Sequence, residues 1–219
     1  MKHAKYPRTP HLPFSPGATR DDIQGDSWDF DDVIITEKMD GENTTLYSDG
    51  YHARSIDSNY HESRSWAAAT WAQVRHLIPD NRRIILENLY ARHSIAYGSL
   101  PHYLAVIGVV DDIGGTPTFL SWEETETVAA ELGIPTVPVL YRGTGGIKKA
   151  EDIFRGLDHE RQEGVVIRSA GRFAEDEFLR HVGKAVREGH VATDDHWSRT
   201  WIPNTLARPW HEGLRHELR

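Results

Sequence analysis

The sequence predicts an α+β domain built mainly from antiparallel strands. Short β-branched runs, such as residues 33–36, are followed within a few residues by turn dipeptides such as Asp49-Gly50, a spacing typical of hairpins. Helical periodicity is confined to a few windows, the clearest at 62–78. The chain has 219 residues, 38% of them hydrophobic, which is typical of one large globular domain with at most a small appendage.

The composition excludes several classes of protein. No apolar run reaches the length of a membrane-spanning helix, and the polar first residues do not resemble a signal peptide. The absence of cysteine excludes disulfides and thiolate metal sites. The net charge of −8 argues against non-specific coating of nucleic acid, which needs a basic surface. We therefore expect a cytoplasmic protein with no membrane partner.

Residues 1–30 are predicted to form an extended segment laid over the domain, with a disordered tail as the alternative. Prolines 7, 10, 13 and 16 rule out a helix, and Tyr6, Leu12 and Phe14 give this segment apolar groups with which to dock onto the domain. Residues 31–56 are typical of a three-stranded meander. In a meander, Arg54 would lie on a strand that neighbours Lys38.

The middle of the chain alternates helices and strands. Ala67, Trp71, Val74 and Ile78 fall on one face of the helix at 62–78, which Pro79 ends. Strands are predicted at 83–90, 103–110 and 137–141, and a second helix begins with a capping box at Ser121 and runs to about 132. A third helix is expected near 147–157.

The C-terminal part contains one more strand at 163–168 and a mostly apolar stretch at 179–187 that carries Lys184. His190 and His196 resemble a metal-ligand pair, but no third ligand is evident, which favours a structural role. Residues 198–219 are expected to form a short, partly helical tail.

Ionisable residues in strand-like settings indicate where the chemistry lies. The basic residues are mostly arginine, and lysine differs from arginine because it can lose its proton and attack an electrophile. Lys38 ends a β-branched run, directly before the Asp40-Gly41 turn, which suits a nucleophile; an exposed hairpin lysine is the alternative. Glu87 interrupts a buried-type strand, where a charge is costly unless it binds a partner.

Five ordered motifs resemble the covalent nucleotidyltransferases and, within them, the ATP-dependent RNA ligases. The motifs are Lys38-Met39-Asp40-Gly41, His52-Ala53-Arg54-Ser55, Leu86-Glu87-Asn88-Leu89-Tyr90, Glu163-Gly164-Val165-Val166-Ile167-Arg168, and the stretch around Lys184. Asn43, five residues after the lysine, is similar to RNA ligases, because DNA ligases and capping enzymes usually carry arginine there. Residues 8–12, 90–97 and 190–197 also resemble a bacterial and phage branch of RNA ligases, with no role assigned.

The resemblance implies a site and a fold. The fold would be an antiparallel-sheet, ATP-grasp-like ligase domain over residues 1–187, with a short C-terminal appendage at 188–219 and no OB-fold. The implied catalytic residues are Lys38 and Lys184. Nucleotide binding would use Glu37, Lys38, Arg54, Glu87, Ile107, Glu163 and Lys184. RNA-end binding would use Asn43, Arg54 and Arg187. Metal binding, with Mg²⁺ or Mn²⁺, would use Glu163 and Asp40.

The sequence departs from the family pattern at two site positions. Ile107 stands where an aromatic ring usually stacks on adenine. Val186 stands where the last motif usually has its second basic residue, and Arg187 falls on the other face of a regular strand. These departures keep open a module that binds ATP or RNA ends without catalysis.

The mechanism implied by the resemblance begins with neutral Lys38 attacking ATP to give a lysyl-AMP. The pKa of Lys38 is expected to be depressed by Lys184, Arg54 and a metal ion. AMP would then pass to an RNA 5′-phosphate, which a 3′-hydroxyl would seal. A nucleotidyltransferase that modifies an end without sealing it is the other enzyme reading, and the natural RNA and the oligomeric state are left open.

Overall fold

The computed structural model describes residues 1–18, 30–57, 61–189 and 201–207. The strands are β1 (Phe30–Lys38), β2 (Glu42–Leu46), β3 (Tyr51–Ala53), β4 (Arg82–Asn88), β5 (Leu104–Ile113), β6 (Thr116–Phe119), β7 (Val139–Gly145), β8 (Gly164–Ser169), β9 (Phe173–Ala174) and β10 (Val182–Val186). The helices are α1 (Ser65–Val74), α2 (Trp122–Leu132), α3 (Ile147–Arg155) and α4 (Phe178–His181).

The strands form two sheets in which all neighbours pair antiparallel. One sheet has the order β10-β8-β1-β7 and the other has the order β3-β2-β4-β5-β6-β9. The predicted α+β class with antiparallel sheets is therefore confirmed. β1 is central in the first sheet and buried on both faces, because Val33 and Ile35 join one apolar cluster while Ile34 joins another.

Helices cover one face of the larger sheet. Leu46, Leu86 and Val109 of its strands pack against Ala67 and Val74 of α1 and against Val128 and Leu132 of α2. The helix predicted at 62–78 is α1, extended at its two ends by 3₁₀ turns over Glu62–Arg64 and Arg75–Leu77. The capping box is also present: the Ser121 side chain accepts from the backbone of Glu124, whose carboxylate accepts from the Ser121 backbone.

The proline-rich N-terminal segment lies along the free edge of β10. The backbone N–H of Leu12 donates to Lys184 O at 2.7 Å, and Lys184 N–H donates to Pro10 O at 2.9 Å. Further along, Val186 N–H donates to Ser15 Oγ at 3.0 Å. Leu12 is fully buried among the residues of the smaller sheet. Over residues 1–18 the predicted extended, docked segment is confirmed, while residues 19–29 lie outside the described residues. The segment covers an edge that would otherwise expose unpaired backbone groups.

The meander predicted at 31–56 is wrong in its first connection. β2 and β3 form the expected hairpin, but β1 belongs to the other sheet, so the chain crosses between sheets at Asp40-Gly41. The crossing is tight: a Cβ on Gly41 would lie 2.4 Å from the carbonyl oxygen of Asn88. Glycine is needed here because any side chain would collide with backbone.

The helical tail predicted at 198–219 is not seen in its described part. Residues 201–207 run as extended chain, with single bridges from Pro203 to Ala91 and from Leu206 to Leu100. Asn204 is buried and its amide donates to Leu89 O at 2.8 Å, which pins this stretch to the domain. Residues 190–200, with His190 and His196, and residues 208–219 lie outside the described residues. Within the described ranges, no helix is both long and apolar enough to cross a membrane.

Candidate active site

A cleft of about 820 Å³ lies between the two sheets and contains the polar residues singled out from the sequence. β1 and β8 supply one wall, β2 and β4 the opposite wall, and β10 with the N-terminal segment part of the rim. The predicted residues that line the cleft are Glu37, Lys38, Asp40, Asn43, Arg54, Glu87, Ile107, Glu163 and Lys184.

Lys38 is the last residue of β1, at the point where the chain leaves one sheet for the other. Its ammonium donates to Glu163 Oε2 at 2.9 Å and to the carbonyl oxygen of Met39 at 2.8 Å. Register explains the first contact, since Lys38 pairs with Gly164, the residue that follows Glu163. A Cβ on Gly164 would lie 1.9 Å from Ala185 O, so β8 and β10 approach each other closely at this point.

The pKa of Lys38 is raised, contrary to the expectation of a depressed value. Burial favours the neutral amine, but the carboxylates of Glu163, Glu87 and Asp40 outweigh it and hold the proton. The same acids act on one another: burial raises the pKa of Glu87 to about 7, the charge of Lys38 opposes this rise, and the charge of Glu163 adds to it. The site therefore holds Lys38 as an ammonium ion.

Lys184 lies on β10 and has the opposite electrostatic setting. Burial lowers its pKa to about 8, the positive charges of Lys38, Arg54 and Arg8 act in the same direction, and the charge of Glu163 opposes them. No salt bridge to Lys184 is present among the described residues. At neutral pH Lys184 is therefore a cation that makes no salt bridge to a described carboxylate and can bind an anion in the cleft.

Asp40 holds a loop as well as lining the cleft. Its Oδ2 accepts from the backbone N–H of Ser94 at 2.7 Å, from Ser94 Oγ at 2.7 Å and from the backbone N–H of Ile95 at 2.8 Å. Arg187 reaches the same loop by donating to Ser94 Oγ at 3.0 Å, and it is not one of the residues that line the cleft. The metal role of Asp40 and the RNA-end role of Arg187 stay predictions.

Arg54 does not lie on a strand beside Lys38, as the meander would require. It follows the last residue of β3, an edge strand of the larger sheet that pairs only with β2. Its exposed side chain nevertheless lines the cleft and acts on the charge of Lys184. The sheets bring Arg54 to the site across the cleft instead of along one sheet.

The side-chain amide of Asn43 has no hydrogen-bond partner among the described residues. It lies on β2 opposite Glu87, and neither its amide nitrogen nor its amide oxygen has a hydrogen bond although both are buried. Buried amides are normally satisfied, and an unsatisfied one in a cleft is well suited to bind a ligand. Glu87 itself accepts from the backbone N–H of Gly41 at 3.1 Å.

One end of the cleft is mostly apolar. Ile107 lines it together with Val166, Phe119 and Trp122. Arg168 lies beside these residues; it is 4% exposed, and its Nη2 donates to Leu120 O at 2.8 Å. Burial lowers the pKa of Arg168 to about 10, so it is a cation at neutral pH. Such a compartment suits a flat, apolar ring with a polar edge.

Sequence reasoning missed several residues of the cleft. Tyr6, Arg8 and Thr9 of the N-terminal segment line it, as do Arg168 and Trp122. The available signal was the likeness of residues 8–12 to one branch of RNA ligases, which marked the segment without giving it a role. Nothing in the sequence indicated that residues 6–9 and Lys184 come together.

The carboxylates of the cleft fit a metal ion that is bound together with substrate phosphates better than one that is bound by the protein alone. The described residues contain no group of three or more histidine or acidic side chains arranged as a cage. Glu163 and Glu87 are close enough to interact by charge and lie beside Lys38. Mg²⁺ is usually bound by one or two protein carboxylates together with substrate phosphates, and this donor set fits that pattern.

Comparison with solved structures shows the nucleotidyltransferase fold of ligases. An archaeal ATP-dependent RNA ligase is similar with a TM-score of 0.54 and 17% identity, over 84% of this chain and 48% of that one. A putative ATP-dependent DNA ligase from Aquifex aeolicus has a TM-score of 0.51 and 20% identity, over 84% and 50%. The K326A mutant of Naegleria gruberi RNA ligase, with ATP and Mn, has a TM-score of 0.51 and 15% identity, over 73% and 50%.

This chain spans about half the length of each of these proteins. No curated protein gives a significant match. The model of the RNA ligase family matches residues 31–186, which contain all five motifs and both sheets. The chain therefore belongs to the RNA ligase family.

Proposed function

We propose that the protein is an ATP-dependent RNA ligase that works through a lysyl-AMP intermediate on Lys38. The observation that carries the proposal is the arrangement of two lysines in the cleft. Lys38, at the end of β1, is paired with Glu163 at 2.9 Å. Lys184 lines the same cleft and has a pKa of about 8. Family membership and the ATP- and Mn-containing neighbour support this reading.

In the first step, Nζ of Lys38 attacks the α-phosphorus of ATP. The Lys38 ammonium first gives up one proton, for which Glu163 Oε2 is the contacting acceptor. The N–P bond of the neutral amine then forms as the bond from the α-phosphorus to the pyrophosphate oxygen breaks, and the nitrogen releases its second proton to solvent to give the lysyl-AMP. Lys184 is placed to bind the phosphate whose charge grows in this step, since its pKa of about 8 leaves it largely protonated at neutral pH.

Because its pKa is raised, the amine of Lys38 is protonated and is a poor nucleophile. Reaction requires that the charge of the carboxylates around Lys38 be neutralised. A divalent metal ion bound with the nucleotide would be held by Glu163 and Asp40, the two predicted metal ligands, beside Glu87, and it would supply that positive charge. The two buried carboxylates thus keep Lys38 protonated until substrate arrives. Without nucleotide, Lys38 stays unreactive.

In the next two steps, AMP passes from Lys38 to an RNA 5′-phosphate and the lysine amine is regenerated. A 3′-hydroxyl oxygen then attacks that 5′-phosphate, and AMP leaves with the electrons of the broken P–O bond. The unsatisfied amide of Asn43 and the exposed guanidinium of Arg54 are the groups we assign to the RNA 5′-phosphate. Arg187 is assigned to the RNA end with them, acting next to the Asp40 loop.

The test is incubation with α-labelled ATP and magnesium, followed by a denaturing gel and peptide mapping. We expect label on Lys38, no label in Lys38→Ala or Lys38→Arg, and normal labelling in Lys148→Ala, whose side chain is 74% exposed on α3. A 5′-phosphorylated RNA with a 3′-hydroxyl then distinguishes sealing from simple end modification. Covalent label that persists in Lys38→Ala would rule out this assignment.

A further inference from the structure

The loop of residues 89–97 lies against the turn that follows Lys38. Met39 is buried in an apolar cluster, and the ring of Tyr97 packs against the same cluster. The next residue, Asp40, donates its backbone N–H to the Tyr97 hydroxyl at 2.8 Å. Its carboxylate accepts from Ser94 at 2.7 Å and from the backbone N–H of Ile95 at 2.8 Å. The backbone and the side chain of Asp40 are therefore both held by this one loop.

The Tyr97 hydroxyl is near the cleft but is not part of its lining. Burial raises the pKa of this hydroxyl, the bond from Asp40 N–H opposes the rise, and the charges of nearby acids add to it. Tyr97 is therefore a neutral phenol at neutral pH. The nearby acids include Glu37 and Glu163, which line the cleft, whereas Tyr97 is not one of the lining residues. Any effect of Tyr97 on the chemistry must consequently pass through the residues that it contacts.

The C-terminal stretch 201–207 holds the backbone of Tyr97. The N–H of Tyr97 donates to Asn204 Oδ1 at 2.9 Å, and the N–H of Thr205 donates to Tyr97 O at 3.0 Å. Asn204 is 5% exposed, and its amide also donates to Leu89 O at 2.8 Å. A continuous set of hydrogen bonds therefore joins Asn204, through Tyr97, to the backbone of Asp40.

We propose that Tyr97 is a positioning residue that holds the turn after Lys38 and is itself held by Asn204; the role of Lys38 rests on the proposed function. Lys38 makes the last pair of β1 with β8, so the sheet fixes its backbone on one side only. The loop fixes the other side. Such support matters because a misplacement of about 1 Å in a reacting group can slow a reaction about 100-fold. Residues 90–97, which the sequence marks without a role, thereby support the nucleophile.

The test compares Tyr97→Phe with wild type in the full chain, because this substitution removes the hydroxyl and keeps the ring in its apolar cluster. We expect single-turnover formation of lysyl-AMP to slow by about tenfold at saturating ATP, and the ATP concentration for half-maximal rate to change by less than about twofold. Amide hydrogen exchange at Asp40, measured without nucleotide, should become about tenfold faster because its N–H loses its acceptor. Asn204→Ala should change both rates in the same directions.

Tyr103→Phe is the matched control. Tyr103 packs against the same apolar cluster, but its hydroxyl donates to Asn204 O at 2.9 Å and not to the turn. The side-chain amide of Asn204 keeps its bond to Tyr97 in this variant. We therefore expect lysyl-AMP formation and exchange at Asp40 to stay within about twofold of wild type.

Unchanged exchange at Asp40 in Tyr97→Phe would overturn the proposal, because the hydroxyl would not be holding the turn. Faster exchange with a normal labelling rate would also overturn it, and equal slowing in Tyr103→Phe would assign the effect to the stability of the cluster. Normal exchange in Asn204→Ala would overturn the role of Asn204. If exchange responds as expected but wild-type protein never becomes labelled, the positioning contact stands and only the proposed ligase function fails.

Discussion

Lys38 and Lys184 lie in one cleft but in opposite electrostatic settings. Lys38 is held by a carboxylate at 2.9 Å, and its pKa is raised by three acids. Burial lowers the pKa of Lys184 to about 8, the charges of Lys38, Arg54 and Arg8 add to this shift, and only the charge of Glu163 among the principal causes opposes it. The sequence motifs make the two residues look alike, as lysines on short strands. The sheets give them different surroundings. Lys38 is the last residue of β1 and lies beside acidic side chains between the two sheets, whereas Lys184 lies on the edge strand β10 beside Arg8.

The comparison teaches that burial alone does not decide the state of a lysine. Both lysines are buried, and burial destabilises the charged form of each. Neighbouring charge then separates the two: acids outweigh burial and raise the pKa of Lys38, whereas burial is the largest cause of the lowered pKa of Lys184 and the nearby cations add to it. We therefore read the acids around Lys38 as a restraint on the nucleophile, and the cations around Lys184 as a site for phosphate.

The largest effect is expected from a substitution at Gly41, where the chain crosses between the sheets shortly after Lys38. In Gly41→Ala the new methyl group would lie 2.4 Å from Asn88 O, so the crossing must shift and carry Lys38 away from Glu163. We expect lysyl-AMP formation to fall by about 100-fold or more and the free energy of unfolding to fall by about 1–3 kcal/mol. Single-turnover labelling and urea unfolding measure the two effects.

The control for Gly41 is Gly98→Ala, because no atom lies within 4 Å of the position of its Cβ. We expect this variant to label at the wild-type rate. A normal labelling rate in Gly41→Ala would show that the position of Lys38 does not depend on the crossing.

The next prediction concerns Glu87, one of the acids that raise the pKa of Lys38. The unfolded chain loses the Glu87 proton near pH 4.5 and the folded chain near pH 7, so the folded state holds more protons in that window. Wild-type stability should therefore fall as pH rises from 5 to 8. We expect this fall to be smaller by roughly 1–3 kcal/mol in Glu87→Gln, as measured by urea unfolding at several pH values. Parallel pH curves for the two proteins would contradict the buried, proton-holding carboxylate.

A third effect sharpens the comparison at Lys184. Above pH 8 wild-type Lys184 loses its charge, whereas arginine in its place keeps it. We expect the ratio of kcat/KM for ATP in Lys184→Arg to that in wild type to rise by about tenfold per pH unit above 8, because the titration of Lys38 cancels in the ratio. A ratio independent of pH between 7 and 9.5 would show that the charge of Lys184 does not limit the reaction.

The smallest effect is a difference in the pH dependence of chemical modification between the amines of Lys38 and Lys184, measured without nucleotide. Acylation by a small amine reagent, followed by peptide mapping, should modify Lys184 at a pH near 8 and Lys38 only at higher pH. Glu163→Gln removes the principal partner of Lys38 and should shift the modification of Lys38 to lower pH by more than that of Lys184, on which Glu163 acts by charge without a hydrogen bond. Modification of Lys38 before Lys184 in wild type would reverse the comparison.

Much of the fold was predictable because it depends on local pattern. The capping box at Ser121, the helix around Ala67 and the extended proline-rich segment follow from spacing and backbone restriction alone. The strand that carries Glu87 was also predicted, since a buried run with one acid is a local signal. These features need no knowledge of which strand lies beside which.

The rest depends on long-range approach, which local pattern does not encode. Asp40-Gly41 has the composition of a hairpin turn, and only the contact of Gly41 with Asn88 shows that it crosses between sheets. The raised pKa of Lys38 requires the pairing of β1 with β8, which brings Glu163 from 125 residues away. Arg8 entered the site in the same way, through the edge of β10.

The pairing of the N-terminal segment with β10 also has a consequence for how the protein is made. Residues 10–17 are synthesised before their hydrogen-bond partners at 184–186, which follow roughly 170 residues later. At a typical elongation rate of about 5–20 residues per second, the segment waits on the order of ten seconds or longer before it can dock. Contacts of such high sequence separation form late and slowly. The rim of the cleft should therefore be the last part to close, after both sheets have folded.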